Sequence, residues 1–147
     1  MMVVGDKRID KMCSFYVSDF HLEMILVPFI NKKIEENEEI IIKTQKNLKD
    51  TLEILLSKIN IKEENKEKIL DLGWNVTENK KIEDKSNVII IGNKNYISEI
   101  NNKIREKNIT DITVIDCYKF EDIKDNMNSI MNNYTVNLNA TGIENIK

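Results

Sequence analysis

The sequence predicts one three-layer α/β domain spanning residues 1–147, with a mostly parallel sheet of about five strands in a RecA-like or Rossmann-like arrangement. Three observations lead there. Short apolar runs alternate with amphipathic stretches along the whole chain. Two of those runs, Ile40-Ile41-Ile42 and Val88-Ile89-Ile90-Ile91, are continuously apolar, as strands buried on both faces of a parallel sheet must be. With one Pro and four Gly among 147 residues, little interrupts regular structure.

The elements follow in order. Residues 12–18, "MCSFYVS", suit a strand through the aromatic Phe15 and Tyr16 and the β-branched Val17. Residues 20–37 read as a helix capped by Ser18 or Asp19, with Leu22, Ile25, Leu26, Phe29 and Ile30 at helical spacing. Pro28 lacks a backbone donor, which predicts a kink or a helix in two pieces. Residues 38–44 form the second strand. Residues 47–59 carry the clearest amphipathic stripe, Leu48, Leu52, Leu55, Leu56 and Ile59. A shorter helix over residues 62–72 ends at Gly73, and Trp74 is expected to fold back onto the core. The polar stretch 75–86, "NVTENKKIEDKS", reads as a loop and a mobile edge. Residues 87–92 form the third strand, and residues 94–108 a helix turning Ile97, Ile100 and Ile104 inward. A strand over 109–118 leads to a helix over 120–134, whose stripe is Phe120, Ile123, Met127, Ile130, Met131 and Tyr134. "TVNLNAT", residues 135–141, closes as a short strand at the edge or paired antiparallel.

Open parallel sheets bind ligands beyond the carboxyl ends of their strands, where helix N-termini attract anions. The hypothetical ligand-binding residues at those ends are Ser18, Asp19, His21, Thr44, Gly92, Asn93, Asp116, Tyr118 and Thr141. Cys117 is placed at the same mouth, and Cys13 at the opposite end of the sheet as plain core. Cap chemistry accounts for Ser18 and Asp19, and His21, the only histidine, is expected to bond a carboxylate such as Asp19 or Glu23.

Much specific chemistry is missing. A phosphate-cradling loop needs Gly-x4-Gly-Lys-Ser/Thr, and after its first strand the chain has "SDFHLEM". No GxGxxG occurs, one His and two distant Cys fall short of a metal set, and neither cofactor nor metal is expected. "ITVIDC" has the form of a magnesium-holding apolar run plus Asp, without a glycine-rich partner. A net charge of −3 with interspersed signs gives no footprint for nucleic acid. The chain lacks an apolar run long enough for a membrane, a signal-peptide core and a disulfide framework, so a cytoplasmic setting is expected.

Residues 11–44 resemble the MEDS (methanogen/methylotroph sensory) domain, a degenerate relative of the KaiC and RecA-type ATPases. "KMCSFY" supplies the family's Cys13, Phe15 and Tyr16, "LVPFI" its helix core, and "ENEEIIIK" its acidic turn and strand. Lys11 stands where the family has histidine. The resemblance implies a sensory or regulatory domain that has lost nucleotide hydrolysis. Two functions are therefore weighed. One is a non-enzymatic binding domain for a small ligand or a regulatory protein, with a homodimer as the alternative form of association. The other is a small α/β enzyme using Asp19, His21 and Asp116 as acid–base groups.

Overall fold

The computed structural model describes residues 9–75 and 81–146. Its elements are β1 (Ile9–Tyr16), α1 (Asp19–Glu35), β2 (Glu39–Thr44), α2 (Lys49–Leu56), α3 (Glu63–Leu70), β3 (Ser86–Ile91), α4 (Lys94–Glu106), β4 (Ile112–Lys119), α5 (Phe120–Ile123), a 3₁₀ turn (Lys124–Asn126), α6 (Met127–Met131), β5 (Val136–Asn139) and β6 (Gly142–Asn145). The strands form one sheet in the order β2-β3-β4-β1-β5-β6. Every pairing is parallel except β5 with β6.

The fold is therefore α/β with helices on both sheet faces. Alternate residues of each strand serve opposite layers. Ile40, Ile42, Ile89, Ile91, Ile115 and Cys117 pack with the apolar stripes of α1, α2 and α3. Cys13, Ile41, Val88, Ile90, Val114 and Tyr118 pack with α4, Ile123, Ile130 and Tyr134. All six residues of β3 are buried, as its run of isoleucines requires.

Several expectations change. The sheet has six strands because the polar "GIEN" turns back on β5 after Gly142, at φ 120. β5 is consequently an interior strand, not an edge: it runs parallel to β1 and, as the antiparallel alternative expected, antiparallel to β6. α1 is a single helix through Pro28, which lies on the exposed side one turn after the exposed Met24, where the freed carbonyl can meet water. The expected helix over 120–134 is two short helices joined by the 3₁₀ turn, and Phe120 faces outward at 37% exposure. Of the polar stretch 75–86, residues 76–80 lie outside the described residues.

Trp74 does fold back. It is 1% exposed, its Nε1 donates to the Ile69 carbonyl at 2.6 Å, and Gly73 before it takes the left-handed conformation at φ 89. It is the only tryptophan, so its emission reports the α1–α3 layer alone. Emission should be blue-shifted in the folded protein, and Trp74→Ala should cost about 3–5 kcal/mol in urea unfolding. Native emission at the wavelength of a solvated indole would contradict this packing.

Candidate functional site

β1, β2, β3 and β5 bring Ser18, Thr44, Gly92 and Thr141 to one edge of the sheet because those strands run parallel. At that edge hydrogen bonding is largely internal. Ser18 is the N-cap of α1, and its Oγ accepts the His21 amide at 3.1 Å. Asp19, the alternative cap, is instead the first helical residue. Among the described residues His21 bonds no carboxylate: its Nδ1 accepts the Val17 amide at 2.9 Å and pins the strand-to-helix turn.

The neighbouring ends are closed in the same way. Thr44 Oγ1 both donates to the Lys46 carbonyl, at 2.9 Å, and accepts the Lys46 amide, at 3.1 Å. Gln45 Oε1 accepts the Asn93 amide at 2.7 Å, while Asn93 caps α4 by accepting the Tyr96 amide at 2.8 Å. Gly92 leaves no open approach for a ligand. A Cβ there would lie 2.5 Å from Gln45 Oε1 and 2.6 Å from Tyr96. Thr141, in the β5–β6 turn, bonds Asn139 through its amide and its hydroxyl.

Asp116 and Tyr118 are not at the mouth. β4 runs on to Lys119, so Asp116 sits mid-strand and is 0% exposed. Its carboxylate accepts from Asn101 Nδ2 at 3.0 Å and from Tyr134 Oη at 2.5 Å, and pairs with Lys11 Nζ at 3.3 Å. With the Tyr134 proton directed at Asp116, the Tyr118 hydroxyl must donate to Tyr134, 2.8 Å away. Burial, more than the nearby Asp116 charge, raises both phenols, Tyr118 to about 12. Asp116 faces the α4 layer while Asp19 and His21 belong to α1, so the three proposed acid–base groups are not brought together.

The cysteines change place too. Cys13 pairs in register with Asp116, and Ser14 with Cys117, so the two cysteines are neighbours across the strands. They belong to opposite layers, which is why they do not meet. Cys117 is buried, not at a mouth, and burial raises both thiols, Cys13 to about 11. A protonated thiol is a poor nucleophile.

One cluster escaped the sequence reading. Lys46 reaches from the end of β2 to Asp19 at 2.6 Å and lies 5.0 Å over the Tyr16 ring. Burial works against its ammonium, but the Asp19 carboxylate and the Tyr16 hydroxyl outweigh it and raise its pKa. Beneath this pair the Thr51 hydroxyl donates to Glu23 Oε2, joining α2 to α1. Glu23 is 0% exposed, and its Oε1 has no partner among the described residues. Burial is the main cause of its raised pKa. A signal existed: Glu23 lies three residues before Leu26 and seven before Ile30, inside the apolar stripe of α1.

Among the described residues no three His, Cys, Asp or Glu side chains group as metal ligands, and no helix is long and apolar enough to cross a membrane. The fold and the edge thus define a three-layer α/β domain with a self-bonded carboxyl edge. No family model, curated protein or solved structure matched the chain in comparison.

Glu23 has a pH consequence. A carboxyl raised on folding holds its proton in the native state after the unfolded chain has released it. Its contribution to stability is full below the ordinary value of 4.5 and fades as pH rises through the raised value. Glu23→Gln keeps an oxygen for Thr51 and removes the charge. The variant should be the more stable protein at pH 7.5 in urea unfolding, with a flatter stability–pH curve. A less stable variant at that pH would contradict this.

Proposed function

We propose that the chain is a sensory or regulatory binding domain, as the MEDS-like stretch 11–44 implies, and that it engages a partner protein at the carboxyl edge of its sheet. The observation that carries this reading is what the edge leaves facing outward. Its polar candidates are bonded internally, whereas Val17 is 64%, Phe20 56%, Met24 43% and Phe120 37% exposed. Phe20 and Met24 are one turn apart on α1. Val17 and Phe120 follow Tyr16 and Lys119, which are partners in register on adjacent strands. Exposed apolar clusters of this kind mark interaction surfaces.

The size of the patch indicates the kind of contact. Four part-exposed side chains offer on the order of a few hundred Å², against roughly 800 Å² per partner in a stable interface. That favours a transient regulatory contact with a different chain over a permanent homodimer. The supporting chemistry is hydrophobic, with Lys46 and Lys119 at its border.

A photoreactive amino acid placed at position 20 tests this in cells of the source organism. It should yield one discrete cross-linked product of higher mass, lost when Val17 and Met24 are both replaced by Ser. The same group at the exposed position 67 of α3 should yield none. No product from position 20, or the same product from both positions, would contradict the reading. A product of twice the chain mass would make the partner a second copy.

A further inference from the structure

A second region combines charge and apolar surface differently. Beside edge strand β2, a pocket of about 210 Å³ opens between β2 and α4. Four lysines line it, Lys43, Lys81, Lys103 and Lys107, and among the described residues no acidic residue does. Ile82, Ile100, Ile104 and Ile109 form the apolar remainder. The chain carries 25 acidic side chains against 22 basic ones, so a pocket whose charged lining among the described residues is four lysines runs against its average.

Ordinary helix chemistry explains only half of the cluster. Lys103 and Lys107 lie at the C-terminal end of α4, where cations complement the helix dipole. Lys43 comes from the penultimate position of β2, and Lys81 from the segment before β3. Lys43 is half-buried and its pKa is lowered, first by burial and then by Lys103 and Lys107. Lys43 thus feels the positive charges of Lys103 and Lys107 across the pocket that all three line. Lys81, Lys103 and Lys107 make no ion pair among the described residues.

We propose that this pocket binds a small organic phosphate, its phosphoryl group between the lysines and its aliphatic part against the isoleucines. A phosphate monoester carries close to two charges near neutral pH, which suits several convergent ammonium groups better than one carboxylate does. The volume lies below the roughly 300–1,000 Å³ of drug-sized sites, so the occupant is a small molecule and not a helix or extended peptide. This site is independent of the partner surface proposed above, on the other side of the sheet's layers from α1.

The test uses the full chain with isoleucine methyl groups labelled for NMR, titrated at low ionic strength with n-butyl phosphate, inorganic phosphate and n-butanol. Butyl phosphate should shift the methyls of Ile82, Ile100, Ile104 and Ile109 saturably. Inorganic phosphate should bind more weakly and move those methyls less, and butanol should not bind. Lys103→Gln with Lys107→Gln should weaken butyl phosphate at least tenfold while leaving the unliganded methyl spectrum native. Lys49→Gln with Lys58→Gln removes the same charge at exposed positions in and just after α2, away from the pocket, and should leave binding unchanged. Three results would overturn the site: no saturable methyl shift, equal weakening by both double variants, or butyl phosphate binding no better than inorganic phosphate.

Discussion

One buried carboxylate organises half of this molecule. Asp116 is fully enclosed in the central strand pair, and a charge there is tolerable only when paired and hydrogen-bonded. Its partners arrive from different elements: Lys11 from β1, Asn101 from α4, and Tyr134 from the turn after α6. Tyr118 joins through Tyr134, and Phe15 of β1 stacks on Tyr118 at 5.9 Å between ring centroids. α5 and α6 are too short to hold themselves as isolated helices, so this network fixes the chain where it turns towards β5.

The other layer is held differently. α1, α2 and α3 pack through aliphatic stripes and Trp74, with the part-buried Glu23–Thr51 bond as a polar link between α1 and α2. The two layers consequently respond to different perturbations. The α4 layer depends on a charged network, while the α1 layer depends on apolar burial and on one carboxyl whose desolvation is incompletely compensated. The proposed partner surface sits at the start of α1, next to that carboxyl, and the phosphate pocket borders α4.

Local patterns carried the fold. Continuous isoleucine runs marked β2 and β3, and helical stripes marked α1, α2 and α4, because burial on both faces and periodic burial leave direct traces in sequence. What failed depended on register. Asp116 read as a strand end because a polar residue normally stops an apolar run, and its partner Lys11 is visible only once β1 and β4 are laid side by side. β6 carries only polar and exposed residues apart from Ile143, itself 58% exposed, so it had no alternation to find. Ser18, Thr44, Gly92 and Thr141 do lie at one end of the sheet, unlike Asp116 and Tyr118, but their local capping could not be read from their identities. The lysine pocket draws on three segments distant in sequence, so no single stretch announces it.

The most direct test of this account is equilibrium unfolding of Asp116→Ala in urea at neutral pH. Removing the carboxylate strands a partly buried ammonium and the Tyr134 and Asn101 donors, so the account predicts a loss of about 3–5 kcal/mol, the scale for breaking a buried pair. A change within about 0.5 kcal/mol, as at an ordinary surface position, would contradict the claim that this network holds the α4 layer together.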